Sequence, residues 1–212
     1  MAKQSDFLEP VMVDAPGCLI DVALYEIRNT LIDFCEKTLI LQINADPIGT
    51  IAGVNAYDIE VDSGYVPVKI MALWHNTNKL SPVSPDNLDA AATFNPSIKA
   101  ASTPTTYTQF DAKQVILIPT PSLTEKRVVA MRVAVKPSRS SLLIDDQISE
   151  HYFEGIVAGA KSRLQLQPGK SYTNPQAAVV NNSIYSAAIN VARQRAVHGY
   201  TRSSLSARMR RI

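Results

Sequence analysis

The sequence predicts an α+β fold: a small helical bundle, made by a first helix and two C-terminal helices, with an inserted antiparallel β-lobe and an extended C-terminal tail. Three observations lead there. Apolar residues recur at helical spacing over 18–38. The middle, about 39–137, is rich in Val, Ile, Thr, Tyr and Pro, in short runs broken by turn residues. Beyond about 145 the helical spacing returns. The first helix can pack with the last two only if the strands form an insertion between them. The expected division is 1–38 and 144–199 as the helical bundle, 39–143 as the β-lobe and 200–212 as a basic tail.

The chain has 212 residues, 46% hydrophobic and 19% charged. Surface scaling lets a chain of this size bury about 70% of its unfolded surface, enough for a real core. No run approaches the roughly 18 apolar residues of a membrane span. Residues 1–14 carry acids and no basic apolar leader, so no secretory signal is expected. Cys18 and Cys35 fall on one predicted helix, about 25 Å apart. That is too far to bridge, so two reduced core thiols in a cytosolic fold are expected.

The first helix, 18–38, places Ile20, Ala23, Leu24, Ile27, Leu31, Phe34 and Cys35 at helical spacing, and Asp14, Pro16 and Gly17 punctuate its start. Leu19, Val22, Tyr25 and Ile32 widen the apolar surface, which asks for cover on two sides, from the chain itself or from a neighbouring subunit. Leu39–Ile43 is a short apolar run. Asp46-Pro47 and Ala52-Gly53-Val54-Asn55 read as turns around Ile48–Ile51. Tyr57, Ile59 and Val61 alternate as a half-buried strand does. Val66–Trp74 reads as a longer strand and His75–Lys79 as a turn. Residues 81–105, with four prolines, read as a surface excursion with one helical turn near Leu88–Ala92. Tyr107–Phe110, Gln114–Ile118 and Arg127–Lys136 read as three more strands, the last two joined through Pro119–Glu125 as an antiparallel hairpin.

A helix is then expected from about 145 to 166, with Ile144, Ile148, Tyr152, Gly155 or Ile156, and Gly159 along one face. Gly155, Ala158, Gly159 and Ser162 make part of it small-sided. A helical glycine costs about 1 kcal/mol against alanine, so two imply close approach of another helix. Pro168-Gly169 stops it. Asn174-Pro175 starts the last helix, as N-cap and first helical residue. This helix runs to about His198, with Val180, Ile184, Ala187, Ala188 and Val191 as its apolar side and Gly199 as C-cap.

Signatures of catalysis are few. Gly169-Lys170-Ser171 looks like a phosphate-loop fragment, but Leu164 stands where the full motif needs its first glycine, and no helix follows directly. His75, His151 and His198 lack metal-ligand spacing, and neither cysteine has a CxxC partner. Asp145-Asp146 fall at a helix start, where carboxylates stabilise free N–H groups. No catalytic residue, metal site or cofactor is implied, and no enzyme is expected.

Charge is more telling. Residues 1–154 hold twelve Lys/Arg and all nineteen Asp/Glu, whereas 155–212 hold nine Lys/Arg and no acid. A basic end on an acidic body suggests an anionic partner. The candidate partner-binding residues are Arg193, Arg195, Tyr200, Arg202, Leu205, Arg208, Met209, Arg210, Arg211 and Ile212. Leu205, Met209 and Ile212 would be the apolar anchors among the cations. No aromatic residue follows Tyr200 to stack bases, and no nucleic-acid-binding motif is visible. Non-specific contact with DNA stays open.

An ordered series of motifs then resembles tailed-bacteriophage head–tail adaptor proteins. It begins with Ile32-Asp33-Phe34-Cys35-Glu36-Lys37-Thr38 and continues through Asp46-Pro47-Ile48, Ile51-Ala52-Gly53-Val54, Tyr57-Asp58-Ile59, Ala72-Leu73-Trp74 and Leu80-Ser81-Pro82. It runs on through Ile116-Leu117-Ile118-Pro119-Thr120-Pro121, Val135-Lys136-Pro137-Ser138-Arg139, Gly159-Ala160, Arg163-Leu164, Pro168-Gly169-Lys170, Asn174-Pro175 and Gly199-Tyr200-Thr201-Arg202. The resemblance spans about 18–211, with 84–105 unmatched. It implies a non-enzymatic virion protein of the neck, present in the host cytoplasm during assembly. About a dozen copies would form a ring on the portal vertex and link capsid to tail. The implied partners are the portal protein, tail or further neck proteins, and the chain itself. Two other readings stay open: a tail-completion or terminator ring protein, and a DNA-binding module acting through the basic C-terminus.

Overall fold

The structure is a computed structural model that describes residues 2–85 and 103–199. Mixed helices and mainly antiparallel sheets make the fold α+β, as expected. The expected helical turn near Leu88–Ala92 lies outside the described residues.

The chain opens with elements that periodicity did not announce. A two-residue strand β1 (Ala2–Lys3), a 3-10 turn (Gln4–Phe7) and a short helix α1 (Leu8–Val13) bury Gln4, Phe7 and Val11. The segment is too short for a repeating pattern, yet it is fixed at both ends. β1 pairs with β10 (Leu143–Ile144), and Phe7 stacks on Phe153, 4.6 Å between ring centroids.

Helix α2 (Ile20–Thr38) buries Ala23, Ile27, Leu31 and Phe34, one stripe at helical spacing. Leu39 ends it in a left-handed conformation, and its N–H bonds to the Cys35 carbonyl. Cys18 lies just before this helix rather than on it. Both thiols are buried and free.

The larger sheet has the order β2 (Gln42–Thr50), β9 (Glu125–Pro137), β4 (Tyr65–His75) and β5 (Asn78–Lys79), antiparallel throughout. The smaller one has the order β3 (Ala56–Asp58), β8 (Gln114–Ile118), β7 (Thr106–Thr108) and β6 (Ser81–Pro82). Four strand expectations need correction. Asp46-Pro47 is not a turn: it sits inside β2, where the register against β9 shifts between Ala45 and Ile48. A bulge tolerates the N–H that proline lacks. His75 ends β4 instead of opening a turn, and its side chain is buried. The β8–β9 hairpin does not form, because β2 and β4 occupy both edges of β9 and β8 pairs with β3 and β7 in the other sheet. The lobe is not wholly antiparallel: β6 and β7 pair in parallel, Ser81 opposite Thr106. That ladder holds the two ends of the 81–105 excursion side by side.

Helices α3 (Asp146–Gln165) and α4 (Pro175–His198) close the chain. Their caps follow the local sequence: the Asp145 carboxylate accepts from the Gln147 N–H at 2.8 Å, and the Asn174 side chain accepts from Ala177 N–H at 3.1 Å. Helix α2 touches α3, α4 and β9, so its own chain covers it on more than one side, although Leu19, Ile20 and Tyr25 near its start stay exposed. One continuous apolar core joins Phe7, Ile27 and Phe34 to Val133 and Val135 of β9 and to Ile156 and Tyr185 of the last two helices.

Candidate interaction surface on the helical layer

Glycines set the spacing of the helical layer. A Cβ on Gly155 would lie 2.5 Å from the Ala188 Cβ, and one on Gly159 would lie 2.6 Å from Thr30 Cγ2 and 2.7 Å from Tyr185 Cδ2. Neither position admits a side chain while the helices keep this separation. The small-sided stretch read from the sequence is the seam where α3 meets α2 and α4.

A single carboxylate joins helices α2, α3 and α4. Asp33 Oδ2 on α2 accepts from Lys37 Nζ at 2.8 Å and from the Tyr185 hydroxyl of α4 at 2.9 Å, with Arg163 Nη2 of α3 at 3.4 Å. Partial burial alone would raise the Asp33 pKa. The Lys37 and Tyr185 hydrogen bonds and the charges of Lys37 and Arg163 outweigh it and hold the carboxyl below the usual aspartate value. Burial first, and the bond to Asp33 second, push the Tyr185 phenol upward. Burial, with Asp145 nearby, pushes the Cys35 thiol up to about 12. It is therefore a packing group and not a nucleophile at neutral pH.

Helix α4 corrects the sequence reading. Its buried stripe is Ala178, Tyr185, Ile189 and Ala192, not the stripe that the sequence singled out. Val180 is 60% exposed, Ile184 45% and Val191 46%; Ala187 is exposed and Ala188 half-buried against Gly155. The two apolar stripes run side by side, and the neighbouring helices cover only one. Exposed apolar residues that line up along a helix are the usual footprint of a protein-binding surface. Between this stripe and α3 runs a groove of about 450 Å³, lined by Ile184, Ala188, Val191, Gly155, Glu150 and Glu154, with Arg195 and Tyr152 at one end. Helix α3 departs from helical geometry at Tyr152, φ −131° and ψ 15°.

Of the ten candidate partner-binding residues, two are described. Arg193 Nε donates to the Lys37 carbonyl at 3.0 Å, in the last turn of α2. Arg195 lies over the Tyr152 ring, 5.6 Å from its centroid, with a guanidinium nitrogen 3.5 Å from the Tyr152 hydroxyl. Both cations are engaged within the chain, each with a residue that sequence spacing could not pair with it. Tyr200, Arg202, Leu205, Arg208, Met209, Arg210, Arg211 and Ile212 lie outside the described residues.

Among the described residues no group of three His, Cys, Asp or Glu could hold a metal ion, and no helix is long and apolar enough to cross a membrane. His75 Nε2, 2% exposed, lies 3.4 Å from Glu125 Oε2, out of line for a hydrogen bond. Gly169-Lys170-Ser171 forms the turn between α3 and α4, where the Ser171 hydroxyl donates to the Pro16 carbonyl at 2.9 Å.

A glycine-seamed helical layer with an uncovered apolar stripe is the framework of a protein that can bind other proteins. The family model described as SU10 adaptor protein matches residues 14–210. The chain belongs to this family of phage head–tail adaptors. No curated protein matches the chain.

Proposed function

We propose that this protein is a non-enzymatic structural component of the virion neck, which forms a ring on the portal vertex and links capsid to tail during assembly and DNA passage. The family match over 14–210 carries this reading. The uncovered stripe of Val180, Ile184 and Val191 supports it, since a ring subunit must bury different faces against its two neighbours. The chain works in three parts. The helical residues 1–38 and 144–199 and the tail 200–212 face the portal, with Arg202, Leu205, Arg208, Met209, Arg210 and Arg211 as contacts. The lobe 39–143, with its 81–105 excursion, faces the tail side. Many weak contacts repeated around a ring act together, so each tail can bind modestly.

Sedimentation of the full chain, alone and with the portal protein of the same virus after nuclease treatment, tests this. Co-sedimentation at about one copy per portal subunit is expected. Removing 200–212 should leave a folded protein that no longer binds portal. A protein that ignores the portal and shifts with DNA instead, steeply with salt, would make it a DNA-binding module. One that binds only tail components would be a tail-completion ring.

A further inference from the structure

Beside the first half of α2 lies a cavity of about 770 Å³, lined by Lys3, Gln4, Leu24, Arg28, Leu142 and Leu143 together with serines. A buried side chain sets its cations. Gln4, 3% exposed, donates through Nε2 to the Ser141 carbonyl at 2.6 Å and accepts at Oε1 from Arg28 Nε at 3.3 Å. Arg28 is thus held by its inner nitrogen, and its terminal guanidinium nitrogens are left for another acceptor. Lys3 precedes Gln4 in the chain. Among the described residues neither Lys3 nor Arg28 has an ion-pair partner. Asp6 lies close by, and its carboxylate accepts from the Lys3 N–H at 2.9 Å and the Ser5 hydroxyl at 3.4 Å. The wall around the cations is apolar, with Leu142 64% exposed. Two cations beside exposed leucines suit carboxylates carried on an apolar protein surface. A nucleic-acid backbone would supply the charge and leave the leucines uncovered.

The chain itself carries such a surface. Glu150 and Glu154 of α3 are exposed and stand one helical turn apart, about 6 Å. Neither has an ion-pair partner among the described residues. Beside them lie Ile184 and Val191 of the outer stripe of α4. The two surfaces face different ways. At the helical repeat, Leu24 and Arg28 fall about 170° around α2 from Thr30 and Asp33, the residues that meet Tyr185 of α4. Ile184 and Val191 fall about 110° around α4 from Tyr185, turned away from α2. One copy can therefore engage a neighbour through each surface at once, as a head-to-tail contact requires.

We infer that the Lys3–Arg28 surface of one copy receives the Glu150–Glu154 surface of the next. Arg28 and Lys3 take the two carboxylates, while Leu142 and Leu143 cover Ile184 and Val191. The occupant is a second copy of this chain. The inference deepens the ring reading, and it rests on that reading for the closure of the repeated contact.

The test uses the full chain without portal, in sedimentation velocity at low salt and high protein concentration. The native chain should self-associate. A Lys3→Glu, Arg28→Glu variant should do so about tenfold more weakly, and so should a Glu150→Lys, Glu154→Lys variant. Mixed, the two should associate as the native chain does, because each brings the charge that the other's altered surface now needs. Recovery on mixing also shows that both are folded. Leu142→Asp changes an exposed side chain, so it should keep the native circular dichroism while weakening association about tenfold. A native chain that stays monomeric would overturn the pairing. So would a Leu142→Asp chain that associates like the native one, folded charge variants that do not recover on mixing, or association that stops at dimers. Portal binding in a fixed ratio by a native chain that fails these tests would leave the ring reading standing and remove this pairing. Recovery on mixing in a chain that ignores the portal would keep the pairing and remove the portal.

Discussion

The two apolar stripes of α4 are close in composition and differ in what covers them. Tyr185, Ile189 and Ala192 are buried, with Tyr185 against Gly159 and Asp33; Val180, Ile184 and Val191 face outward. The difference arises from the partner helix. Gly159 leaves a hollow that the Tyr185 ring fills, and Asp33 supplies the acceptor that the buried phenol requires. The outer stripe meets no such hollow. Periodicity therefore tells where a helix is apolar, and the neighbours decide which apolar residues support the fold and which are left for other molecules.

Four substitutions would break or sharpen that contrast. Gly159→Leu should have the largest effect, because even its Cβ collides with Thr30 and Tyr185. A loss of about 3 kcal/mol is expected from the urea midpoint, in the range for overpacking. A loss under about 1 kcal/mol would mean that the helices part easily and that the inner stripe is not special. Asp33→Ala should cost about 2 kcal/mol through lost hydrogen bonds to a charged acceptor. It should also flatten the acid response. The Asp33 pKa is lowered in the folded state, so its contribution is full above the ordinary aspartate pKa and lost as pH falls through the lower folded value. Urea midpoints from about pH 5 downward should thus fall more steeply in the native chain than in the variant. Tyr185→Phe keeps the ring in the hollow and removes one hydroxyl, for an expected loss of about 1 kcal/mol. Ile184→Ser, on the outer stripe, should change stability by no more than about 0.5 kcal/mol. Light scattering of the same variant should show weaker self-association or portal binding. A large loss of stability there would merge the two stripes into one core.

Much of the helical layer was legible because its signals are local. Asp145 and Asn174-Pro175 open α3 and α4 where cap chemistry places them, and His198 and Gly199 close the last helix. Gly155 and Gly159 announced a close helix seam. Strand β8 keeps its expected bounds of 114–118. Other features were hidden for a physical reason. Residues 4–13 form elements too short to show a period, and they are held by Phe153 and β10, far along the chain. Asp46-Pro47 carries a turn signature that a bulge absorbs. A strand's pattern shows that it has a buried face but not which strand lies at its edge, so β8 was matched with β9 when β3 and β7 were its neighbours. At the candidate site, Arg193 and Arg195 were legible as cations, but the Lys37 carbonyl and the Tyr152 ring that engage them were not.

The sequence by itself determined the class of fold, the starts and stops of the long helices, the basic C-terminal end and the resemblance that the family match bears out. These rest on caps, spacing and composition, which act over a few residues. Only the tertiary structure decided which stripe of α4 is buried, how the strands divide between two sheets, and that one carboxylate, Asp33, joins three helices. Those outcomes depend on contacts between residues far apart in the chain, such as Gln42 with Ala134 and His75 with Val129 in the larger sheet and Asp33 with Tyr185 between helices. Many pairings satisfy the local preferences equally well, and close packing selects one of them.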